Sequence, residues 1–335
     1  MKIKKLSLGD TRWDKFCLES DDCWFYHTIT WMKYTLEYGG EDSELLSFYI
    51  EDGNKDILAI CPLIRYHNKF VFSGSNGPNP ALKNILSPNI SKKLLRQIFT
   101  EIDSLASQYD IDECIMSLTP LAKNHLSPFT YNYLMKYNFE NISLNSQIIG
   151  LDTDKAHLWS DIKKSHRNEI KKGNELFDFI ILEPYRDNFT FFREFKNLHY
   201  LAAGRVTRSE ETWNIQYEWI KKGFGVIILA YLEGKPIGGI YTILYKNGAY
   251  YGISANHPDY EDRSISHSIQ WKMIKWLRRN RYRYYELGIQ QFSDQQYDHP
   301  SQKDLDISLF KRHFGGYTIT FHRGRKRYNF SKKGD

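Results

Sequence analysis

One feature narrows the folding options of this 335-residue chain more than any other: its first half is repeated, as a pattern, in its second. In the first half, the segments 45–50 (LLSFYI), 57–66 (ILAICPLIRY) and 70–73 read as three strands joined by the Gly/Asn-rich turn EDGNKD and by HNK. In the second half, 226–232 (VIILAYL), 237–245 (IGGIYTILY) and 249–254 (AYYGIS) have the same lengths and similar connections, EGKP and KNG. Turn positions put the offset at about 180 residues. The parallel continues, because 91–109 and 266–280 both place apolar residues at helical spacing: Leu94, Leu95, Ile98, Ile102 and Leu105 in one, Ile269, Met273, Ile274 and Leu277 in the other. Each helix leads into a short strand, 113–118 or 284–289. Each half therefore reads β-β-β-α-β behind helical segments, 21–38 in the first and 159–172, 189–200 and 212–222 in the second.

This alternation predicts an α/β fold with mixed sheets (α+β) in two tandem units. No low-complexity linker separates them, and the boundary is placed near Gly150, giving domains 1–150 and 151–335. The longest clean apolar stretch, 226–232, falls far short of the roughly 20 residues that cross a bilayer. Asp10, Arg12 and Asp14 interrupt the N-terminal segment, so no secretory signal is expected. Cys17, Cys23, Cys61 and Cys114 show no C-x-x-C spacing and read as reduced thiols of a cytoplasmic protein, with zinc disfavoured and Cys61 a core residue. Net charge is +6, and residues 311–335 account for it with eight Lys/Arg against one acid, Asp335. Such a tail suits phosphate, nucleic acid or reversible attachment to an anionic membrane, and equally suits a solvated terminal strand.

Phosphate-loop, dinucleotide, zinc-protease and esterase signatures do not occur. Asp152 and Asp154 have the spacing of an acidic metal pair, but a helix-capping Asp154 is the better reading. His257, Asp259, Glu261 and Asp262 crowd one loop where a general base can sit beside a sheet edge, although a solvated turn looks the same. The helix start at Ser264, Ile265 and Ser266 offers free amides to a phosphate, or is simply capped by one of its serines. The densest polar cluster, 199–213, holds His199, Arg205, Arg208 and Trp213; its arginines suit a phosphate or carboxylate, or pair with Glu210 and Glu211 while Ser209 and Thr212 cap the next helix. Residues 165–172 spread basic and acidic groups over what reads as a solvated helix face.

Taken together, the repeated halves, R-N-E-I-K-K (167–172) and L-F-K-R-H-F-G-G (309–316) resemble the FemABX-like acyltransferases with tandem GNAT folds. H-Y-L-A-A-G-R-V-T-R-S-E-E-T-W (199–213), Y-Y-G-I-S-A (250–255), I-S-H-S-I-Q-W (265–271) and Y-E-L-G (285–288) resemble, more narrowly, the FemAB-like proteins found with bacterial surface-polysaccharide genes. The likeness covers about 159–321; the first half matches only in pattern. It implies N-acyl transfer from acyl-CoA, without a metal, to a nucleotide- or lipid-linked amino sugar, the donor lying where 249–254 and 284–289 splay apart, near Ser254, Ser264, Ile265 and Ser266. Glu286 is then the candidate base or orienter, His267 a second, Tyr251 the proton donor to the leaving thiolate, and His199, Arg205, Arg208, Trp213 and Lys311 the substrate-binding set. FemABX relatives that modify peptidoglycan take an aminoacyl group from tRNA instead, an alternative that the basic tail fits. The chain lacks both the R/Q-x-x-G-x-G/A loop of simple acetyltransferases and the coiled-coil arm of some peptidoglycan enzymes. A non-catalytic nucleotide-sugar-binding protein is the third reading, its many aromatics stacking on sugar or base.

Overall fold

In the computed structural model, residues 1–71, 77–126, 130–295 and 299–329 are described, with the side chains of 261–263 left aside. The candidate acids Glu261 and Asp262, and the tail residues Lys332, Lys333 and Asp335, lie outside the described side chains. The chain divides into two compact units, 1–144 with 320–335, and 145–319.

In unit 1, β1 (Lys2–Lys5), α1 (Thr11–Glu19) and α2 (Ile29–Gly39) precede β2 (Ser43–Leu45), β3 (Phe48–Glu51), β4 (Ile57–Cys61), β5 (Ile64–Tyr66), β6 (Lys69–Phe70) and β7 (Ala81–Leu82). Then come α3 (Pro88–Gln108), β8 (Glu113–Ser117) and β9 (Glu140–Asn141). The strands expected over 45–50 and 57–66 are each broken once. Pro62 has no N–H to donate, and the Ser47 hydroxyl bridges the interruption, donating to Leu63 O at 3.1 Å and accepting from Leu63 N at 2.8 Å. The two parts consequently join different sheets, β1-β3-β4-β7 and a six-stranded sheet that begins β2-β5-β6-β8. Within the latter, β6 and β8 run parallel. Ser87 caps α3 and Pro88 occupies its first turn, while Leu94, Ile98 and Ile102 bury its inner face completely. The predicted helix over 21–38 starts only at Ile29, where Thr28 caps it by accepting from Trp31 N.

Unit 2 continues with β10 (Leu144–Gly150), α4 (Lys155–Asp161), α5 (Lys164–Leu176), β11 (Asp178–Leu182), α6 (Phe189–Ala203), α7 (Glu210–Lys221), β12 (Gly225–Leu232), β13 (Lys235–Tyr245) and β14 (Gly248–Asn256). After these come α8 (Ile265–Arg279), β15 (Tyr284–Gln290), α9 (Gln302–Arg312) and β16 (Tyr317–Phe321). Its seven-stranded sheet is ordered β11-β12-β13-β14-β15-β10-β16; β14 and β15 are parallel, while β11/β12, β12/β13, β13/β14 and β15/β10 are antiparallel. The single helix expected over 159–172 is two, because Ile162 and Lys163 adopt extended backbone between α4 and α5. One face of the sheet packs on α5 and α8 through Val226, Ile228, Ile240, Tyr285, Leu287, Ile269 and Met273. Close approach requires Gly238, where a Cβ would lie 2.2 Å from Ile265.

The last strand, β17 (Arg323–Arg327), joins unit 1, whereas the sequence division near Gly150 placed it with 151–335. It inserts between β8 and β9 in the sheet of unit 1, antiparallel to both. Its basic side chains are engaged there: Lys326 Nζ binds both oxygens of Asp103 at 2.6 and 2.8 Å, and Arg325 Nε donates to Glu140 at 3.2 Å. The charge run is therefore in part strand, and consecutive side chains, which point to opposite faces, find carboxylates on neighbouring elements.

Candidate active site

The chemistry concentrates where β14 and β15 part. Their parallel pairing spans only Gly248↔Tyr284, Ala249↔Tyr285 and Tyr250↔Glu286. Beyond it each strand carries an irregularity. Against β13 the register skips Gly252, and against β10 it skips Leu287. Two bulges facing one gap bend the strands apart and leave the inner edge of β14 without a ladder partner among the described residues. The cleft so formed, about 670 Å³, is lined by Tyr250, Tyr251 and Ser254 of β14, Leu287 of β15, Ser266 of α8, and one side of α9 ending at Phe310 and Lys311.

Lys311 and Glu286 supply the charge. Glu286 is 4% exposed; its Oε1 accepts from the Ser146 hydroxyl at 2.7 Å, and its buried Oε2 accepts nothing. Burial pushes its carboxyl up to about 7, against the opposing pulls of Ser146 and of the Lys311 ammonium. Burial likewise brings Lys311 down to about 8, with Glu286 opposing. The Lys311 amine donates to Ile289 O at 3.2 Å. Gly288 beside it has a left-handed backbone (φ +87°) that favours glycine, and a Cβ there would make ordinary contact with Nζ at 3.5 Å and with the Tyr250 hydroxyl at 3.6 Å. Burial also raises the Tyr251 phenol, whose hydroxyl interacts with Ser254, so it stays protonated and can donate.

Of the residues singled out from sequence, Tyr251, Ser254, Ser266 and Lys311 line this one cleft, and Glu286 interacts electrostatically with Lys311 from the adjoining strand. Ile265 is core, 2% exposed. Ser264 occupies the cap position of α8 in a left-handed conformation (φ 55°), but its hydroxyl donates to Glu169 and leaves the first amides of α8 without a side-chain cap. His267 does not line the cleft; its ring packs edge-on against His166 with centroids 4.3 Å apart. The 199–213 cluster does not line it either. Trp213 is fully buried beneath the Arg208 guanidinium, 4.6 Å from the ring, and His199 Nε2 lies 3.1 Å from Thr207 Oγ1. Burial drives His199 down to about 4, so it stays neutral. Of the four candidates in this cluster, His199, Arg205, Arg208 and Trp213, Arg205 alone is exposed. Ser209 does cap α7, accepting from Thr212 N, yet Glu210 pairs with Lys196 instead of either arginine. Asp154 caps α4 through His157 N at 2.7 Å and Asp152 pairs with Arg283, the arrangement expected without a metal. All four cysteines are buried thiols. Ser146, Tyr250 and the lining side of α9 were not singled out. The register that brings Ser146 to Glu286, 140 residues away, leaves no local trace.

Residues 163–298 match the family of acetyltransferase (GNAT) domains. Unit 2 holds a GNAT acetyltransferase domain. The chain is thus an acyltransferase, and solved structures extend the likeness in fold to its whole length. The crystal structure of FemX matches with a TM-score of 0.66 at 11% identity, covering 96% of this chain and 97% of that one. A tandem GNAT protein from the clavulanic acid biosynthesis pathway gives 0.57 at 12% identity, covering 99% of each chain. L-PGS from Bacillus licheniformis gives 0.55 at 12%, covering 90% and 92%. At such identities the likeness is one of fold, tandem GNAT units. A comparison with curated proteins finds no match. No helix among the described residues is long and apolar enough to cross a membrane.

Proposed function

We propose that the GNAT domain of this FemABX-like chain transfers an acyl group from acyl-CoA to the amine of a nucleotide- or lipid-linked amino sugar, in the assembly of a bacterial surface polysaccharide on the cytoplasmic side. The carrying observation is the Glu286–Lys311 pair beside the opened edge of β14. Thioester and pantetheine amides suit an unpaired strand edge, which offers N–H and C=O groups at fixed spacing. The uncapped start of α8 suits the pyrophosphate.

In the reaction, the neutral amine attacks the carbonyl carbon, forming the C–N bond. Glu286, ionised near neutrality, takes the proton that the nitrogen sheds. The oxyanion is held by the Lys311 ammonium and an edge amide of β14, donors fixed before the charge develops. Collapse breaks the C–S bond, and Tyr251 protonates the thiolate. His199, Arg205, Arg208 and Trp213 then support the acceptor side at one remove, as a packed loop that presents Arg205.

A second reading, an aminoacyl donor carried by tRNA, is favoured by the turn before α8. There the 3₁₀ segment Pro258–Arg263, with His257 as its cap, occupies the position of a glycine-rich pyrophosphate loop. The charge of β17 does not argue for it, since Arg325 and Lys326 pair with Glu140 and Asp103. The experiment is a thermal-shift titration with acetyl-CoA, CoA and aminoacyl-tRNA, followed by thiol-release turnover with UDP-amino sugars. A ligand at 100 times its dissociation constant adds about 2.7 kcal/mol of stability. A shift with CoA and thiol release abolished by Glu286→Gln support the proposal; a shift with aminoacyl-tRNA alone moves the donor to the second reading; glycan binding without transfer from either donor sinks both.

A further inference from the structure

Unit 1 carries a cleft of its own, of about 960 Å³, that the acyl-transfer reading does not use. Its walls come from α3 and from the 3₁₀ turn Tyr133–Tyr137. Lys92 and Arg96 stand one turn apart on α3, at the exposed margin of its buried apolar stripe. Lys136 faces the same space from the short turn, its amine donating to the Tyr131 hydroxyl at 3.0 Å and sitting 4.8 Å over that ring. The Tyr137 ring stacks on Phe99, with centroids 3.9 Å apart and planes 15° apart, which makes a rigid aromatic wall. Arg96 and Lys136 both act on the Tyr137 phenol, so the cations converge on it.

What sets these three cations apart is that they line one cleft together while none pairs with a carboxylate among the described residues. Elsewhere in unit 1, Lys69, Lys83, Lys123 and Lys326 each pair with an acid. Lys92, Arg96 and Lys136 make no ion pair among the described residues. The one acid lining the cleft, Asp22, is already engaged: its oxygens accept from Asn124 Nδ2 at 2.6 Å and from Leu82 N at 3.0 Å. Three convergent positive charges without internal counter-charge suit a dianionic group, and guanidinium with ammonium is the pair that recognises phosphate. The volume exceeds what a bare phosphate fills and lies in the range of whole small-molecule sites. Tyr131, 60% exposed, leaves apolar surface on the lining for the rest of the ligand.

We infer that this cleft binds a phosphate ester whose organic part packs on Tyr131 and Tyr137. The site is independent of the reaction in unit 2 and stands or falls separately. The phosphate is carried either by a soluble nucleotide or by a lipid headgroup. Calorimetric titration of the whole chain with UDP and with inorganic phosphate tests the first source. Co-sedimentation with phosphatidylglycerol/phosphatidylcholine vesicles, against phosphatidylcholine alone, tests the second. The Lys92→Glu/Arg96→Glu double variant should lose at least tenfold in whichever arm binds, with an unchanged melting temperature because both side chains are exposed. Tyr131→Ala should weaken UDP or vesicle binding and leave inorganic phosphate unaffected. Binding of UDP alone assigns a nucleotide, and binding of anionic vesicles alone assigns a lipid headgroup. Absence of binding in both arms at low salt, or binding equal in wild type and double variant, overturns the inference.

Discussion

Glu286 and Lys311 are held in opposite directions from their ordinary values by the same cause, burial, so their working protonation states coexist only in a narrow window. Glu286 must be ionised to accept a proton, and it is so above about 7. Lys311 must be protonated to hold an oxyanion, and it is so below about 8. Turnover should therefore rise through the first value and fall through the second, a bell whose limbs belong to the pair. Glu286→Gln should remove the acid limb and lower kcat by about 10²–10⁴-fold; an unchanged pH–rate profile would take the base role away from it. His267→Ala, by contrast, should keep most of the turnover, since that ring packs on His166 outside the cleft. Gly288→Ala forces a side chain onto φ +87° beside Lys311 and should cost about 1 kcal/mol or more in a urea melt, together with activity. Glu286, Tyr251 and Lys311 could be nominated from the sequence because each sits in a short motif, the first two on strands that the apolar pattern marks. Ser146 could not be, because its role is created by pairing between distant strands.

At the scale of elements, α9 bounds the cleft on one side and is anchored by histidines. His166 of α5, His267 of α8 and His313 at the end of α9 form a chain of ring contacts, with centroids 4.3 and 4.9 Å apart, enclosed by Phe310 and Phe314. His166 Nε2 donates to Phe310 O at 3.2 Å. Lys163 adds a positive neighbour at 3.1 Å from His313 Nε2, and Glu169 is the acid that acts on His267. Burial lowers all three histidines, His166 to about 4. Because the unfolded chain takes up these protons near 6.5 and the folded chain lower, stability is complete above 6.5 and declines as pH falls towards 4. Melting temperature should drop over that interval in wild type, and drop less in His166→Phe; equal slopes would show that the cluster does not couple to folding. The main helices and strands of the second half were readable from apolar periodicity, whereas α9 was not. Its short amphipathic run, Gln302–Arg312, buries only Ser308 fully, so hydrophobic spacing says little, and its start is marked by a Ser301/Asp304 capping box.

At the scale of the molecule, the repeat predicted two α/β units of the same plan, and the parallel pairs β6/β8 and β14/β15 recur in them. Periodicity could not show that residues 320–335 return to unit 1, because strand pairing between positions some 200 residues apart has no sequence period. Deleting 323–335, which on a free-tail reading would be harmless to the fold, should instead unfold unit 1. It removes the strand between β8 and β9 and the Lys326–Asp103 contact. Circular dichroism and limited proteolysis of the truncated chain would check this; a fully folded unit 1 would contradict the pairing.

The same strand sets an order in time. Unit 1 is nearly all encoded first, yet its sheet cannot close until the ribosome has made everything in unit 2 and then β17. At about 5–20 residues per second, the N-terminal part waits on the order of ten seconds or more with the edge of β8 unpaired. During synthesis the amino-terminal unit is thus the last to be finished, and its exposed strand edge is where holding chaperones would be needed.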